Sequence, residues 1–215
     1  MLLVVACGGI PAQHQLPART LRVVIVGDSL AHGAGDETGK SLAQHLDEEL
    51  TRLQVAHEAT VDLAVNGSRT WDVARVLRAT TAGSALKRAD VVVLSIGGND
   101  LYGDSLARLF SSVAPRMMIR SVVGDVGTIV EQIEQRSAAR IVLLSLYDPY
   151  RNPKLDADVN LWSSRLFERF HDDNRVQVIT IADLFVAKNR LSRIDHFHPG
   201  AEANAAIARR IAEAL

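Results

Sequence analysis

The chain has 215 residues, 47% of them hydrophobic, and a formal net charge of −1. That length suits one domain able to bury roughly 70% of the surface its unfolded chain exposes, and the balanced charge leaves no field to recruit nucleic acid or anionic lipid. The single cysteine, Cys7, excludes an internal disulfide and any C-x-x-C metal or redox pair, and no apolar stretch approaches the roughly 18 residues needed to span a bilayer.

Residues 1–20 are set apart from a domain at 21–215. "MLLVVACGG" is apolar up to Cys7 and then small, and the following "IPAQHQLPART" is a polar, proline-containing tether. Val4-Val5-Ala6-Cys7 resembles a bacterial lipobox, although no basic region precedes it and the apolar part is short. The resemblance implies a lipidated Cys7 and a lipoprotein of the cell envelope. The alternative is a frayed apolar end on a cytoplasmic protein.

Residues 21–26 form a β-branched run closed by Gly27, which predicts a buried strand. Leu42, Leu46, Leu50 and Leu53 follow at helical spacing. Residues 59–65 predict a second strand, ending at Asn66-Gly67, and residues 71–79 a helix. "ADVVVLSI", residues 89–96, is the clearest central strand and stops at Gly97-Gly98-Asn99-Asp100. A long helical region at 105–136 is expected to break near Pro115 and around Gly124 and Gly127. "RIVLLSL" at 140–146 is a fourth strand, 156–170 a helix and 175–181 a fifth strand. Pro199 is expected to open the last helix from its first turn.

Strands alternating with helices, and apolar runs that are continuous, predict a three-layer α/β/α sandwich around a mainly parallel five-stranded sheet. Right-handed crossovers then bring all strand C-terminal ends to one edge, where such sheets bind ligands. Asp28-Ser29, Asn66-Gly67, Asn99-Asp100 and Tyr147-Asp148 are therefore expected to meet there.

Two chemistries compete at "VVIVGDSLAHGAGDETGKS". Residues 34–41, from Ala34 through Gly39-Lys40-Ser41, match a relaxed phosphate loop, A-x-x-x-x-G-K-S, implying a nucleotide-binding enzyme. Yet the strand ends near Val26, well before the loop begins, and Asp36 and Glu37 would lie inside the phosphate cradle. The acids are better read as complementing a helix dipole, with Lys40 solvated. Asp148, after an apolar strand, is a weak candidate for a magnesium-binding acid.

The alternative makes Ser29 a nucleophile presented where a strand breaks into a helix start, although such a serine can equally be a cap. "RIDHFHPG" supplies Asp195 and His198 at a spacing that lets the carboxylate fix the imidazole's tautomer, while His196 is expected to point toward the surface. Gly67 and Asn99 offer N–H donors for an oxyanion, though both also suit turns.

Together these blocks resemble the SGNH (GDSL-type) esterase and lipase family: Gly27-Asp28-Ser29-Leu30, then "LAVNGSRTWDV" around Gly67, then Gly97-Gly98-Asn99-Asp100, then Asp195-x-x-His198-Pro199. "VNLWSSRLFERF" is similar to that family's penultimate helix. The absence of G-x-S-x-G disfavours the ordinary α/β-hydrolase class. The resemblance implies a flavodoxin-like SGNH hydrolase fold and an ester hydrolase with Ser29 as nucleophile, His198 as base and Asp195 as its orienting acid. It further implies an oxyanion hole of Ser29, Gly67 and Asn99, with no cofactor and no metal. Trp71, Tyr147, Asp148 and Tyr150 are candidate substrate contacts. Phe110, Met117, Met118 and Ile119 suit either an acyl cleft, with residues 101–123 as a lid, or the core of a helix pair, the latter being favoured. The expected partner is a small ester: a short-chain ester, lysophospholipid, thioester or acetylated sugar. A non-catalytic binding domain of the same fold is the remaining alternative.

Overall fold

The computed structural model describes residues 20–103, 116–186 and 190–215. Cys7 with its tether, Phe110 and the expected break at Pro115 lie outside the described residues. The sheet holds five parallel strands, β1 (Val23–Gly27), β2 (Val61–Asp62), β3 (Val91–Ser95), β4 (Arg140–Leu144) and β5 (Val176–Ile179), in the order β2-β1-β3-β4-β5. This is the order of flavodoxin-like doubly wound sheets, whose ligand crevice lies between β1 and β3.

Side chains alternate across a strand, and the two faces separate cleanly. Val24, Val26, Val92 and Leu94 pack with helices α3 (Thr70–Arg78), α4 (Thr80–Arg88), α6 (Arg116–Glu134) and α7 (Pro153–Phe170). Val23, Ile25, Val91 and Val93 face α1 (Ser29–His32), α2 (Leu42–Arg52) and α8 (Ala201–Ala212). The short α5 (Gly98–Tyr102) follows β3, and a 3-10 turn, Ala182–Phe185, follows β5. All five residues of β1 and of β3 are buried, which is why their sequences are unbroken apolar runs.

Several expectations change. The second strand shrinks to two exposed residues, because it is an edge paired only with β1 and the Asp62 carboxylate turns the chain by accepting the Ala64 N–H. Helix α6 runs unbroken through Gly124 and Gly127, since Val122, Val123, Val126, Ile129 and Val130 bury one face and outweigh the glycine penalty. The last helix is capped by Gly200 and begins at Ala201, so Pro199 lies outside its first turn. Helix α4, anchored by Ala82 and Leu86, was not anticipated; extended Ala79 separates it from α3. Ile119 is core as favoured, whereas Met117 and Met118 are exposed.

Gly124 is exposed on α6, and a Cβ there meets nothing within 4 Å. Gly124→Ala is therefore expected to stabilise the protein by about 1 kcal/mol, read as a rise in Tm of roughly 2–4 °C; an unchanged or lower Tm contradicts an ordinary helix at that position.

Candidate active site

The site begins where β1 meets β3. Gly27 has φ 155°, and a Cβ there would stand 2.1 Å from the Ser95 carbonyl oxygen, so no larger residue fits without displacing β3. The next residue, Asp28, donates its N–H to the same carbonyl at 3.0 Å. Its buried carboxylate accepts from Ser95 Oγ at 3.1 Å and from the Leu30 N–H at 3.2 Å, capping α1. Burial raises the Asp28 pKa to about 7 against the opposing pull of these donors. Ser29 is the first residue of α1, half-buried at the carboxyl edge of the sheet. The cap belongs to Asp28, which leaves the Ser29 hydroxyl without that structural task.

The second contribution is the loop before α8. The Asp195 carboxylate accepts from His198 Nδ1 at 2.7 Å and from the backbone N–H groups of Phe197 and His198, each at 2.9 Å. Burial pushes the Asp195 pKa up, but the His198 and backbone hydrogen bonds outweigh it and hold it below the ordinary carboxylate value. The bond at Nδ1 leaves Nε2 as the free imidazole nitrogen. His196 is exposed, in the left-handed region at φ 55°. The ends of the loop close on each other, with Ser192 N donating to His198 O at 2.8 Å and Gly200 N to Arg190 O at 2.9 Å.

The third contribution is α5 with the turn at Gly67. Asn99 Nδ2 donates to the Ser68 carbonyl at 2.9 Å. One amide hydrogen remains for a ligand. Asp100 accepts the Thr70 N–H at 3.0 Å and the Thr70 hydroxyl at 2.6 Å, fastening the start of α3 beside α5. Gly67, at φ 78°, is thus linked to Asn99 through its neighbour Ser68.

Ser29, Asn99, His198 and Tyr147 line one pocket of about 80 Å³. Among the described residues no hydrogen bond joins Ser29 Oγ to His198; such contacts commonly tighten only with substrate bound. Gly67 and Trp71 are not among the pocket's lining residues. Trp71 is exposed, with the Arg75 guanidinium 5.2 Å from its ring centre. Tyr147 stacks on Phe185 at 4.2 Å and donates its hydroxyl to the Phe197 carbonyl at 2.8 Å, and burial raises its pKa. Asp148 accepts the N–H groups of Tyr150 and Asn152 and so shapes its own turn. Sequence reasoning passed over the apolar wall of Leu146, Pro149, Leu155 and Phe197. Phe197 alone carried a signal, lying between the two histidines of "DHFHPG".

The relaxed phosphate loop has another structure and another task. The Asp36 N–H donates to Gly33 O, the Gly39 N–H to Asp36 O, and the Thr38 N–H to the Asp36 carboxylate. The acids do not serve the dipole of the helix that follows them. Asp36 is buried; burial pushes its pKa up, yet hydrogen bonds from Thr38, His45 and Asn204 prevail and lower it to about 2. Glu37 accepts the N–H groups of Ala201 and Arg193, each at 2.8 Å, so it spans both ends of the segment carrying Asp195 and His198. Lys40 is half-exposed and bonds Glu48 at 2.6 Å. Gly35 packs against His198: a Cβ at Gly35 would lie 2.6 Å from the His198 Cβ.

Asp28 carries a pH signature. Its folded pKa of about 7 exceeds the model-peptide value of 3.8, so the folded state holds the extra proton between them. Stability from this group is complete below the unfolded pKa and is lost as pH rises through about 7. Integrated from pH 5 to pH 8, the loss is about 2–3 kcal/mol. Asp28→Asn cannot titrate, so its Tm minus that of the wild type is expected to increase by roughly 5 °C over this range. A difference independent of pH would show that Asp28 is ionised throughout.

The GDSL-like Lipase/Acylhydrolase family model matches residues 25–206. A Bacillus subtilis (strain 168) protein, YpmR, itself uncharacterised, is 27% identical over 205 residues, covering 90% of this chain and 80% of that protein. Among solved structures, the lipase Lip_vut3 from a goat rumen metagenome shares 20% identity and superposes with a TM-score of 0.77, covering 91% of this chain and 97% of that one. The acetyl xylan esterase AlAXEase shares 18% identity at a TM-score of 0.66, covering 91% and 100%. With that family match spanning the strand end that leads into Ser29, the turn of Gly67, the helix of Asn99 and the loop of His198, the chain belongs to the GDSL-like lipase/acylhydrolase family and is an ester-hydrolysing enzyme.

Proposed function

We propose that the enzyme cleaves carboxylic esters through an acyl-enzyme on Ser29. The observation that carries this reading is that Ser29, Asn99 and the Asp195-bonded His198 line one pocket although they come from three distant parts of the chain. Ser29 Oγ attacks the acyl carbonyl and His198 Nε2 takes its proton. Asp195 stays ionised and stabilises the imidazolium. Its lowered pKa supports this role through neutral pH.

Negative charge then develops on the carbonyl oxygen. The remaining Asn99 amide hydrogen and the backbone N–H groups of Ser29 and Gly67 are the donors for it. His198 returns the proton to the departing alcohol, and water repeats the sequence in reverse to free the acid. The lipobox-like residues at 4–7 support attachment of this enzyme to the cell envelope through Cys7, with a cytoplasmic location as the alternative.

A fluorophosphonate probe is expected to label the wild type and not Ser29→Ala, which also loses most p-nitrophenyl acetate hydrolysis. Labelling or full turnover in Ser29→Ala would overturn the assignment, and an unlabelled wild type would favour a binding domain. Asn99→Ala is expected to retain the label while kcat falls on the order of 10²-fold, about 3 kcal/mol of barrier. An unaltered kcat would remove Asn99 from the oxyanion hole.

A further inference from the structure

The segment that carries Asp195 and His198 is closed by its own bonds. Ser192 N donates to His198 O and Gly200 N to Arg190 O, while Asp195 gathers the N–H groups of Phe197 and His198 together with the imidazole. These bonds fix the shape of the segment and the orientation of the ring within it. They do not fix where the segment stands against Ser29. Attack on an ester needs the imidazole within hydrogen-bond reach of the serine hydroxyl, and a misplacement of about 1 Å costs on the order of 10²-fold in rate.

One side chain reaches both ends of this segment. Glu37 Oε1 accepts the Arg193 N–H and Oε2 the Ala201 N–H, each at 2.8 Å. Between these ends, the Tyr147 hydroxyl holds the Phe197 carbonyl. Glu37 lies on the loop that leaves α1, so its carboxylate ties the base to the chain just beyond the nucleophile. Asp36 anchors that loop from below, bonding His45 Nε2 of α2 at 2.7 Å and Asn204 Nδ2 of α8 at 3.1 Å. Gly200 completes the fit. Its φ of −77° is open to any residue, but a Cβ there would stand 3.0 Å from both Glu37 carboxylate oxygens. The glycine therefore supplies room for Glu37 rather than backbone freedom. The N–H groups of Ala201 and Arg193 hold the Glu37 carboxyl below its ordinary range, so it is ionised at neutral pH. Glu37 is not among the residues lining the pocket of Ser29, and any effect it has on the reaction there runs through His198.

We infer that Glu37 is a positioning residue: by holding Arg193 and Ala201 together it sets the place of His198 against Ser29. This rests on the reading of Ser29 as nucleophile and His198 as base.

The simpler task for Glu37 is to cap α8, which has no side-chain cap at Gly200. Three variants of the full chain separate the two: Glu37→Gln, Glu37→Ala, and Glu37→Ala combined with Gly200→Ser. Glutamine keeps the shape but turns a donor toward one of the two N–H groups. Once the Glu37 carboxylate is gone, position 200 has room for a serine, and its extended backbone suits an N-cap. The combined variant thus restores the cap of α8 without restoring the bond to Arg193.

Both single variants are expected to lose about 10- to 100-fold in kcat on p-nitrophenyl acetate and in the rate of fluorophosphonate labelling, with KM within about twofold of wild type. Glu37→Ala is also expected to lower Tm by roughly 2–4 °C. In the combined variant Tm is expected to recover while kcat stays as low as in Glu37→Ala. A kcat that recovers with Tm makes Glu37 a cap alone and overturns the inference. A loss of less than about fivefold in kcat in Glu37→Gln overturns it too, as does a raised KM with kcat unchanged. If Glu37→Ala does not fold, Glu37→Gln and the combined variant decide. A labelled wild type whose variants label equally fast defeats this inference alone; an unlabelled wild type defeats the nucleophile reading beneath it.

Discussion

The junction of β1 with β3 is the constraint on which the site depends. Gly27 lets β1 approach the Ser95 carbonyl, and Asp28 closes the contact with its N–H and its carboxylate. The same carboxylate caps α1, so one buried side chain fixes both where the strand ends and where the helix begins. Ser29 is the next residue, and its position follows from the junction rather than from bonds of its own. A parallel sheet with this strand order opens a crevice at this point. Burying a carboxylate there opposes folding at alkaline pH.

The loop of His198 is held differently, from outside. Its own bonds set the imidazole orientation, but its location relative to β1 comes from loop 33–41. Glu37 grips the segment at Arg193 and Ala201, Asp36 reaches Asn204 on α8, and Gly35 lies against the ring-bearing residue. Asn204 also donates to the Pro199 carbonyl at 3.3 Å. Ser29 and His198 are far apart in sequence, yet the loop that leaves Ser29 is the one that holds His198. Glu37 and Asp36 thus hold the His198 segment beside the strand end that precedes Ser29, the Tyr147 hydroxyl adds its bond to the Phe197 carbonyl, and α2 against α8 supplies the apolar packing beneath.

Much of this was legible because it is local. Continuous β-branched runs marked β1, β3 and β4, and the residues just past them marked the active edge. The spacing of Asp195 and His198 anticipated a side-chain bond that a four-residue loop can close by itself. What was not legible depends on partners remote in sequence. Val61 and Asp62 look like the start of a full strand, but an edge position leaves them exposed. Gly124 and Gly127 look like breaks, but the apolar face of α6 overrides them. No local pattern reveals that Glu37 serves the N-terminus of α8, or that Leu155 walls the pocket of Ser29.

The glycine-lysine-serine stretch shows how a motif can match in letters and differ in physics. A phosphate cradle needs a run of free N–H groups at the N-terminus of a helix. Here three of the loop's N–H groups bond within the loop, and Ser41 turns its own N–H to Gln44 in a capping box. The carboxylates that made the motif doubtful are the groups that give the loop its function. Asp36 fills the interior that a phosphate would need, and Glu37 replaces the missing ligand contact with two bonds to the His198 segment. Gly35, which in a cradle would let a phosphate approach, here lets the imidazole-bearing chain approach.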